Sequence, residues 1–490
     1  MRKSGILLHI SSLPSPYGIG SLGNEAYRFI DFLAESGMSY WQILPICPTS
    51  YGDSPYQSYS TFAGNPYFID LDMLEEEELL SFEEYREEEE GDPERVDYGK
   101  LYTLRYPLLR KAMSRFCPDS AYLDFLSENA DWLEDYALFM ALKQQHEGRS
   151  WFDWEEKYRN RKEDALSEFI AANEREIDFW KKLQFYFFKQ WNALKSYASS
   201  RGISILGDLP IYVALDSVDV WANPSLFQLD ENKLPLEVAG CPPDYFSKSG
   251  QLWGNPLYDW EYMERNDYAW WSRRIEYLCK VYDILRIDHF RGFDSYYAIP
   301  FNAEDASLGS WKSGPGMKLF DAIEKRIGKP HIIAEDLGFL TPGVRSLLKE
   351  SGFAGMKVLQ SGFDSNDNDC ADYLPHNFIP HCVAYCGTHD HNTIKGWFGR
   401  LKESDRRYAL EYLRIKDLNE LHWELICVLL STVADLAIIQ AQDLFGLGEE
   451  ARMNTPATVG NNWVWRLKPG AFDRALSEKL YHLLDIYKRL

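Results

Sequence analysis

The stretch "DILRIDHFRGFDS", residues 283–295, begins like a buried strand and ends in charged residues. An apolar run from Ile284 to Ile287 contains Arg286, and Asp288 follows it directly. Because side chains alternate between the two faces of a strand, Arg286 and Asp288 point to the same side. Burying such charges costs free energy unless they are paired or used in chemistry. The stretch therefore predicts either a structural ion pair at a strand end or a reaction centre.

Seven other apolar runs have the same character and end in polar residues, glycine or proline. The eight predicted strands are "GILLHISS" (5–12), "WQILPI" (41–46), "ISILGDLP" (203–210), "DILRIDH" (283–289), "HIIAEDLG" (331–338), "GMKVLQS" (355–361), "HCVAYCGTHD" (381–390) and "LAIIQAQD" (436–443). Amphipathic helical patterns lie between most of them. Apolar strands that alternate with helices are typical of a parallel sheet covered on both faces. The sequence therefore predicts an α/β fold, a (β/α)8 TIM barrel.

Two long segments interrupt this barrel, which we expect to form one catalytic domain over residues 1–490. Residues 47–195, between the second and third strands, carry amphipathic patterns and predict a mostly helical insert subdomain. Residues 210–282, between the third and fourth strands, are rich in Pro, Trp, Tyr and Asn. This second insert predicts ordered loops that cover the barrel mouth.

The second insert contains the aromatic-rich stretch "DYFSKSGQLWGNPLYDW", residues 244–260. Aromatic faces pack well against sugar rings. The side chains that we expect to stack on an acceptor sugar are Tyr245, Phe246, Trp253 and Tyr258.

The composition narrows the class of partner. Against 52 basic residues there are 75 acidic ones, so the net charge of −23 disfavours nucleic acids and anionic membranes. The eight cysteines show no metal-binding or disulfide pattern and indicate a reducing compartment, the cytoplasm. No metal or other cofactor is expected, and the sequence leaves the oligomeric state open.

Charged residues follow four of the predicted strands, at the carboxyl ends where TIM barrels carry their active sites. They are Asp208, Arg286, Asp288, Glu335, Asp336, His389 and Asp390. The sequence has no Cys/His ligand cluster, no phosphate-binding glycine loop and no GxSxG motif. Paired carboxylates without those motifs favour chemistry at a glycosidic bond.

Such chemistry needs one carboxylate that stays ionised and one carboxyl that holds a proton. Arg286 shares a face with Asp288, so we expect it to lower the pKa of Asp288 and suit it to nucleophilic attack. Apolar residues precede Glu335 and acidic residues surround it, conditions that raise a pKa and suit a general acid/base.

The other charged residues at the strand ends have separate predicted roles. Strand alternation turns Asp336 to the opposite face from Glu335, which favours a structural role. His389 and Asp390 are able to hydrogen-bond sugar hydroxyls and brace a distorted ring in the transition state.

Eight motifs occur in order from near residue 10 to near residue 466. They are "SLPSPYGIGSLG", "YGDSPYQSYSTFAGNPYFIDL", "GDLPIYVALDSVDVW", "GQLWGNPLYDW", "LRIDHFRGF", "IIAEDLG", "GTHDHNT" and "QDLFGLGEEARMNTPATVGNNWVWR". Together they resemble the amylomaltases, the 4-α-glucanotransferases or disproportionating enzymes related to the α-amylases. The resemblance implies a retaining enzyme that moves α-1,4-glucan segments between maltooligosaccharides or starch-type glucans, using a glucan donor and a glucan or glucose acceptor and releasing glucose.

The resemblance also implies roles for individual residues. Asp288 is the nucleophile that forms a covalent glycosyl-enzyme, Glu335 the acid/base and Asp390 the transition-state stabiliser. The residues implied to bind substrate are Tyr56, Asp208, Trp253, Arg286, His389 and Asn462. Directly after Asp390 the sequence departs from the family pattern "GTHDNDT", with His391 and Asn392 in place of Asn and Asp.

Two alternative functions are compatible with parts of this pattern. An α-1,4-glucan hydrolase of the same superfamily would use the same carboxylates, because either water or a sugar hydroxyl can resolve the covalent intermediate. A carbohydrate-binding barrel without catalysis would be expected to lack Asp288 or Glu335, and both are present.

Overall fold

The computed structural model describes residues 2–86, 91–243, 249–338, 340–365 and 369–490. The strands in these residues are β1 (Lys3–Leu7), β2 (Tyr40–Gln42), β3 (Ser204–Leu209), β4 (Glu237–Cys241), β5 (Gln251–Pro256), β6 (Ile284–Ile287), β7 (Ser295–Pro300), β8 (Ser310–Ser313), β9 (Ile332–Ala334), β10 (Gly355–Val358), β11 (Cys382–Tyr385) and β12 (Leu436–Gln440).

The α-helices of the same residues alternate with these strands and fill the long segments between them. They are α1 (Asn24–Glu35), α2 (Leu71–Glu76), α3 (Phe82–Tyr85), α4 (Tyr98–Arg115), α5 (Ser120–Glu128), α6 (Ala130–Gln145), α7 (Glu156–Arg159), α8 (Glu163–Ala172), α9 (Glu174–Ser200), α10 (Val218–Ala222), α11 (Trp260–Arg265), α12 (Ala269–Val281), α13 (Met317–Ile327), α14 (Pro342–Ser351), α15 (Ile394–Arg400), α16 (Glu403–Leu413), α17 (Leu421–Ser431), α18 (Ala441–Leu444) and α19 (Arg474–Ile486).

Eight of the strands form a parallel sheet in the order β10-β11-β12-β1-β2-β3-β6-β9. Each lies within or overlaps one of the eight segments that the sequence analysis predicted as strands. The register pairs Asp208 of β3 with Arg286 of β6, and Arg286 with Ile333 of β9. The prediction of an α/β TIM barrel is confirmed, and three neighbouring strands deliver charged residues to one end of it.

The seam between β9 and β10 closes the barrel with few backbone contacts. An isolated parallel bridge joins Ile333 to Ala354, and Ala334 N donates to Ala354 O at 2.9 Å. The buried carboxylate of Asp336 adds a bond across the seam, because its Oδ1 accepts from Met356 N at 2.6 Å. Asp336 therefore has the structural role that strand alternation predicted.

Within the described part of residues 47–195 every regular element is a helix, from α2 to most of α9. Helix α9 carries two buried glutamines, each of which makes two hydrogen bonds to the backbone of an earlier segment. Gln184 exchanges two hydrogen bonds with the backbone of Gly64, and Gln190 exchanges two with that of Asp70. These contacts tie α9 to the segment that follows the "SPYQ" motif.

The region after β3 contains a second sheet that the sequence analysis did not predict. Its four antiparallel strands lie in the order β5-β4-β7-β8, so β4 of the 210–282 segment pairs with β7, which follows β6 along the chain. A Cβ atom at position 240 of β4 would lie only 2.1 Å from Gln251 O of β5. The close approach of the two strands therefore requires glycine at this position. The segment is thus partly a sheet and not only a set of loops.

The prediction that Tyr258 of this segment stacks on a sugar is wrong. Tyr258 is 1% exposed, and its hydroxyl donates to Ile211 O at 2.8 Å, so it packs in the core and presents no face to a sugar. Tyr245 and Phe246 lie outside the described residues.

Asp336 gives the barrel seam a predictable dependence on pH. Burial raises the pKa of its carboxyl from 3.8 to about 6. Because the folded state binds the proton more tightly, this stabilising contribution is complete below pH 4 and is lost as the pH rises through 6. We expect Asp336→Asn, whose amide oxygen keeps the Met356 bond, to gain up to about 3 kcal/mol relative to wild type between pH 4 and pH 7.5, measured by urea denaturation.

The matched control is Asp267→Asn, since the Asp267 side chain is 78% exposed. Its stability difference from wild type should not follow the pH. A difference for Asp336→Asn that is constant with pH, or that falls as the pH rises, would contradict the assigned role of burial.

Candidate active site

The guanidinium of Arg286 lies at the centre of three carboxylates, at the carboxyl ends of β3, β6 and β9. Its Nη1 is 2.5 Å from Asp208 Oδ2 and 3.2 Å from Asp288 Oδ1, and its Nη2 is 3.2 Å from Glu335 Oε2. The Arg286 side chain is only 1% exposed. The charges that the sequence placed on separate strands therefore form one cluster around a single buried cation, in which Asp208 is buried and Asp288 and Glu335 are partly exposed.

The carboxyls of Asp288 and Glu335 lie within hydrogen-bonding distance of each other. Burial is the largest effect on both groups and raises both pKa values; the charge of Glu335 raises that of Asp288 further. The positive charge of Arg286 opposes both shifts without cancelling them. The expectation that Arg286 keeps the pKa of Asp288 low is therefore wrong for the site without substrate. Two adjacent carboxyls whose pKa values are both raised release their protons at a higher pH than isolated carboxyls do.

The backbone of His289 fixes the orientation of Glu335. His289 N donates to Glu335 Oε2 at 2.6 Å, and Phe290 N donates to Glu335 O at 3.1 Å. His289 has a φ of 51°, in the left-handed region that residues other than glycine seldom adopt. Backbone strain of this kind concentrates at functional sites. Nothing in the sequence signals this conformation.

Asp390 forms a second part of the site, at the end of β11. His389 Nε2 lies 3.2 Å from Asp390 Oδ2, and Asn454 Nδ2 donates to Asp390 Oδ1 at 2.6 Å. Burial opposes ionisation of Asp390, but the charge and hydrogen bond of His389, the bond from Asn454 and the charge of Arg286 together lower its pKa. Asp390 is therefore an anion at neutral pH, and its pKa is shifted in the opposite direction from those of Asp288 and Glu335.

Asn454 and Arg452 are functional candidates that the sequence analysis did not single out. Arg452 Nη2 donates to Asp390 O at 2.7 Å, so both residues hold the segment that carries Asp390. They lie in "ARMNTP", within the last of the eight family motifs. Their polar character next to a glycine-rich turn was the available signal.

Tyr56 joins the two parts of the site. Its hydroxyl donates to Asp208 Oδ2 at 2.8 Å, and its ring stacks on that of His389 with centroids 5.2 Å apart and an interplanar angle of 14°. The ring of Trp463 packs against that of Tyr56, with centroids 5.7 Å apart. Burial raises the pKa of Tyr56, so its hydroxyl stays protonated and acts as a donor.

Trp253 borders the site without contacting the carboxylates in the structure. Its ring meets the edge of the His289 ring at 4.9 Å, and its Nε1 donates to Gln251 Oε1 at 3.1 Å. The ring is half-buried, so part of it stays accessible beside the residue that follows Asp288.

Asn462, the remaining predicted sugar contact, braces its own loop. Its Oδ1 accepts from Thr455 N at 3.0 Å, and its Nδ2 donates to Thr458 O at 3.1 Å. The amide that contacts the catalytic cluster is that of Asn454. A sugar contact by Asn462 stays a prediction.

Three properties of the described residues concern metal binding, membrane spanning and disulfide formation. No group of three or more His, Cys, Asp or Glu side chains among them is arranged to hold a metal ion. No described helix combines the length and apolarity needed to cross a bilayer. All eight cysteines lie in the described residues, and none of them is joined to another in a disulfide.

The geometry predicts how the cluster responds to the loss of its cation. Arg286→Met leaves the buried Asp208 and the part-buried Asp288 and Glu335 without a counter-charge, which we expect to destabilise the fold by about 3–5 kcal/mol at pH 7. The carboxyls of the variant will bind protons more tightly when folded, so the cost should shrink as the pH falls towards 5. Urea denaturation at both pH values measures this.

Arg326→Met is the control, because the Arg326 side chain is 47% exposed and pairs with Glu276 on the surface. Its cost should stay within about 1 kcal/mol at either pH. An Arg286→Met cost as small as this, or one that grows at low pH, would contradict the description of a charge cluster held by one cation.

The chain has clear counterparts among known proteins. Residues 8–472 match the family model of glycoside hydrolase family 77, described as 4-alpha-glucanotransferase. The chain is 47% identical to the 4-alpha-glucanotransferase of Clostridium butyricum, over 98% of this chain and 100% of that protein. It is 45% identical to that of Thermus thermophilus, over 100% and 99% of the two chains.

Solved structures agree with these sequence matches. An amylomaltase of Streptococcus agalactiae in complex with acarbose superposes with a TM-score of 0.96 and 42% identity, covering 100% of both chains. The amylomaltase of Corynebacterium glutamicum, 19% identical, shares the fold with a TM-score of 0.78 over 100% of this chain and 75% of that one. On the matched length and identity, this chain belongs to the 4-alpha-glucanotransferase family, glycoside hydrolase family 77.

Proposed function

We propose that this protein is a retaining 4-α-glucanotransferase that transfers α-1,4-glucan segments to the 4-hydroxyl of a glucan or glucose acceptor. The observation that carries the proposal is the direct contact between the Asp288 and Glu335 carboxyls beside Arg286. Inverting glycosidases need a gap of roughly 6.5–9.5 Å between their carboxyls to hold a water molecule. Carboxyls that touch favour the retaining, covalent mechanism.

In the first step Asp288 attacks the anomeric carbon of the donor sugar while Glu335 protonates the departing glycosidic oxygen. The Asp288 oxygen gains a bond to carbon, and the leaving glucan departs as an alcohol. The contacts from His289 N and Arg286 favour the charged form of Glu335 in the free site, so the shared proton rests towards Asp288. A glycosidic oxygen beside Glu335 gives that proton an acceptor there and leaves Asp288 anionic.

In the second step Glu335, now a carboxylate, removes the proton from the acceptor hydroxyl. The acceptor oxygen then attacks the anomeric carbon and displaces Asp288, so the configuration is restored after two inversions. The same pair returns to its starting state with one proton between its members.

The other polar groups of the site are proposed to bind the donor sugar. Asp390, an anion held by His389 and Asn454, accepts hydrogen bonds from sugar hydroxyls and stabilises positive charge on the ring in the transition state. Tyr56 offers a fixed aromatic surface beside Asp208, and Trp253 offers a second one beside His289.

Transfer prevails over hydrolysis when an acceptor is held in line with the glycosyl-enzyme. A bound hydroxyl reaches an effective concentration of up to roughly 10⁵–10⁸ M, far above that of water. Donor and acceptor are both glucans in this proposal. The free thiols favour a reducing location, and we propose the cytoplasm.

The first test of the proposal is the fate of maltotriose. We expect glucose and a ladder of longer maltooligosaccharides, with little change in total reducing ends, because each transfer breaks one α-1,4 bond and makes another. Chromatography of the products and a reducing-end assay measure the two quantities. Reducing ends that rise with cleavage, without any product longer than maltotriose, would replace the transferase by the hydrolase.

The nucleophile assignment predicts that Asp288→Asn folds but loses at least about a thousandfold in kcat/KM on maltotriose. Asp321→Asn, on the exposed surface of α13, is the matched control and should retain wild-type activity. An Asp288→Asn enzyme with more than about a tenth of wild-type activity would assign the nucleophile elsewhere.

The acid/base assignment predicts a substrate-dependent defect in Glu335→Gln. With maltotriose the loss should be nearly as large as that of Asp288→Asn, because the leaving sugar needs a proton. With maltosyl fluoride as donor the formation of the glycosyl-enzyme should recover at least about tenfold, since fluoride leaves without protonation. Equal losses on both donors would remove Glu335 from the acid role, and Glu324→Gln on the surface controls for expression and folding.

A further inference from the structure

The imidazole of His391 is held in one tautomer by the turn that carries Asp390. Thr388 N lies 3.3 Å and Thr388 Oγ1 lies 2.9 Å from His391 Nδ1. A backbone N–H is only a donor, so Nδ1 must be the acceptor nitrogen. The ring is neutral at physiological pH, because burial lowers the pKa of His391 to about 4 even though the charge of Asp390 opposes the shift. Its proton is therefore on Nε2.

This Nε2–H donor has no hydrogen-bond partner among the described residues, and it is not among their fully buried polar atoms. The ring is half-buried, so the donor reaches solvent from a fixed position. When a hydrogen bond to one ring nitrogen fixes a neutral imidazole, the N–H on the other nitrogen is a well-oriented donor for a hydroxyl.

The surroundings place this donor in the active site. The charges of Asp390, His389, Arg452 and Arg286 all act on the His391 ring. His391 N donates to Thr388 O at 2.9 Å, which closes the turn, and a side chain at Gly387 would lie 3.0 Å from His391 Cβ. Gly387 thus leaves space for the ring beside Asp390.

We propose that His391 Nε2–H donates a hydrogen bond to a hydroxyl of the glucan bound beside Asp390, which makes His391 a substrate-positioning residue. The inference rests on the proposed glucanotransferase function and adds a binding residue to it. The ligand class is a neutral polyol, because a neutral donor flanked by an anion that is already paired suits a hydroxyl better than a charged group.

Two amide substitutions at His391 test the Nε2–H donor independently of the structural contact between Nδ1 and Thr388. Asparagine places its Oδ1 near the position of Nδ1, so His391→Asn keeps the acceptor for Thr388 and removes the donor. Glutamine reaches as far as Nε2, so His391→Gln restores an N–H donor at that position. His331→Gln is the matched control, because His331 is exposed just before β9, at the opposite end of the barrel from the site.

For His391→Asn we expect kcat/KM on maltotriose to fall about three- to tenfold, mainly through KM, as for the loss of one neutral hydrogen bond made equally in the bound and transition states. His391→Gln should recover at least half of that loss. Maltotriose affinity should follow the same ranking, with His391→Asn weakest and His391→Gln between it and the parent. Calorimetry measures these dissociation constants in proteins that also carry Glu335→Gln, which blocks turnover. His331→Gln should match wild type in every assay.

Two results would overturn the inference. One is a His391→Asn enzyme with wild-type KM and wild-type maltotriose affinity. The other is a loss confined to kcat with a lowered thermal midpoint, which would reduce His391 to a support of the turn. Either result, combined with a normal maltooligosaccharide ladder, leaves the proposed function intact; a wild-type enzyme that makes no ladder would instead remove that function.

Discussion

The guanidinium of Arg286 is the constraint on which the site depends. It is the cation that contacts three carboxylates, two of which touch each other, in a region where the arginine itself is 1% exposed. Three full negative charges around one positive charge would be too costly to bury. Raised pKa values of Asp288 and Glu335 reduce that cost, because protonation of either carboxyl removes one of the negative charges.

The barrel supplies this arrangement through register more than through side-chain packing. Asp208 and Arg286 are direct neighbours across β3 and β6, and Glu335 follows the next strand. The left-handed conformation of His289 then turns its N–H towards Glu335 and distinguishes the two carboxyls of the pair. Among the described residues, the Asp288 carboxyl has Arg286 and Glu335 as side-chain partners and no backbone N–H donor. The extra backbone hydrogen bond to Glu335 lowers its pKa and so distinguishes the two carboxyls.

Sequence patterns located all eight barrel strands and the charged residues at their ends, because apolar runs and strand alternation are local properties. The antiparallel sheet was missed since two of its strands, β4 and β5, contain Gly240, Gly254 and Pro256, residue types that are depleted in strands. Tyr258 was assigned to the site although it is buried, because aromatic residues read alike in a core and on a sugar-binding surface. The pKa of Asp288 was expected to be low, since the sequence displays the nearby arginine but not the burial, which has the larger effect.

The two halves of the site differ in protonation for physical reasons that suit them to different tasks. Asp288 and Glu335 have few donors for their number of oxygens, so burial dominates and raises both of their pKa values. Asp390 receives donors from His389 and Asn454, so burial is outweighed and it stays an anion. Tyr56, bonded to Asp208 and stacked on His389, holds the halves at a fixed separation. A sugar ring between them would meet a proton source on one side and a permanent negative charge on the other, the combination that cleavage through an oxocarbenium-like transition state requires.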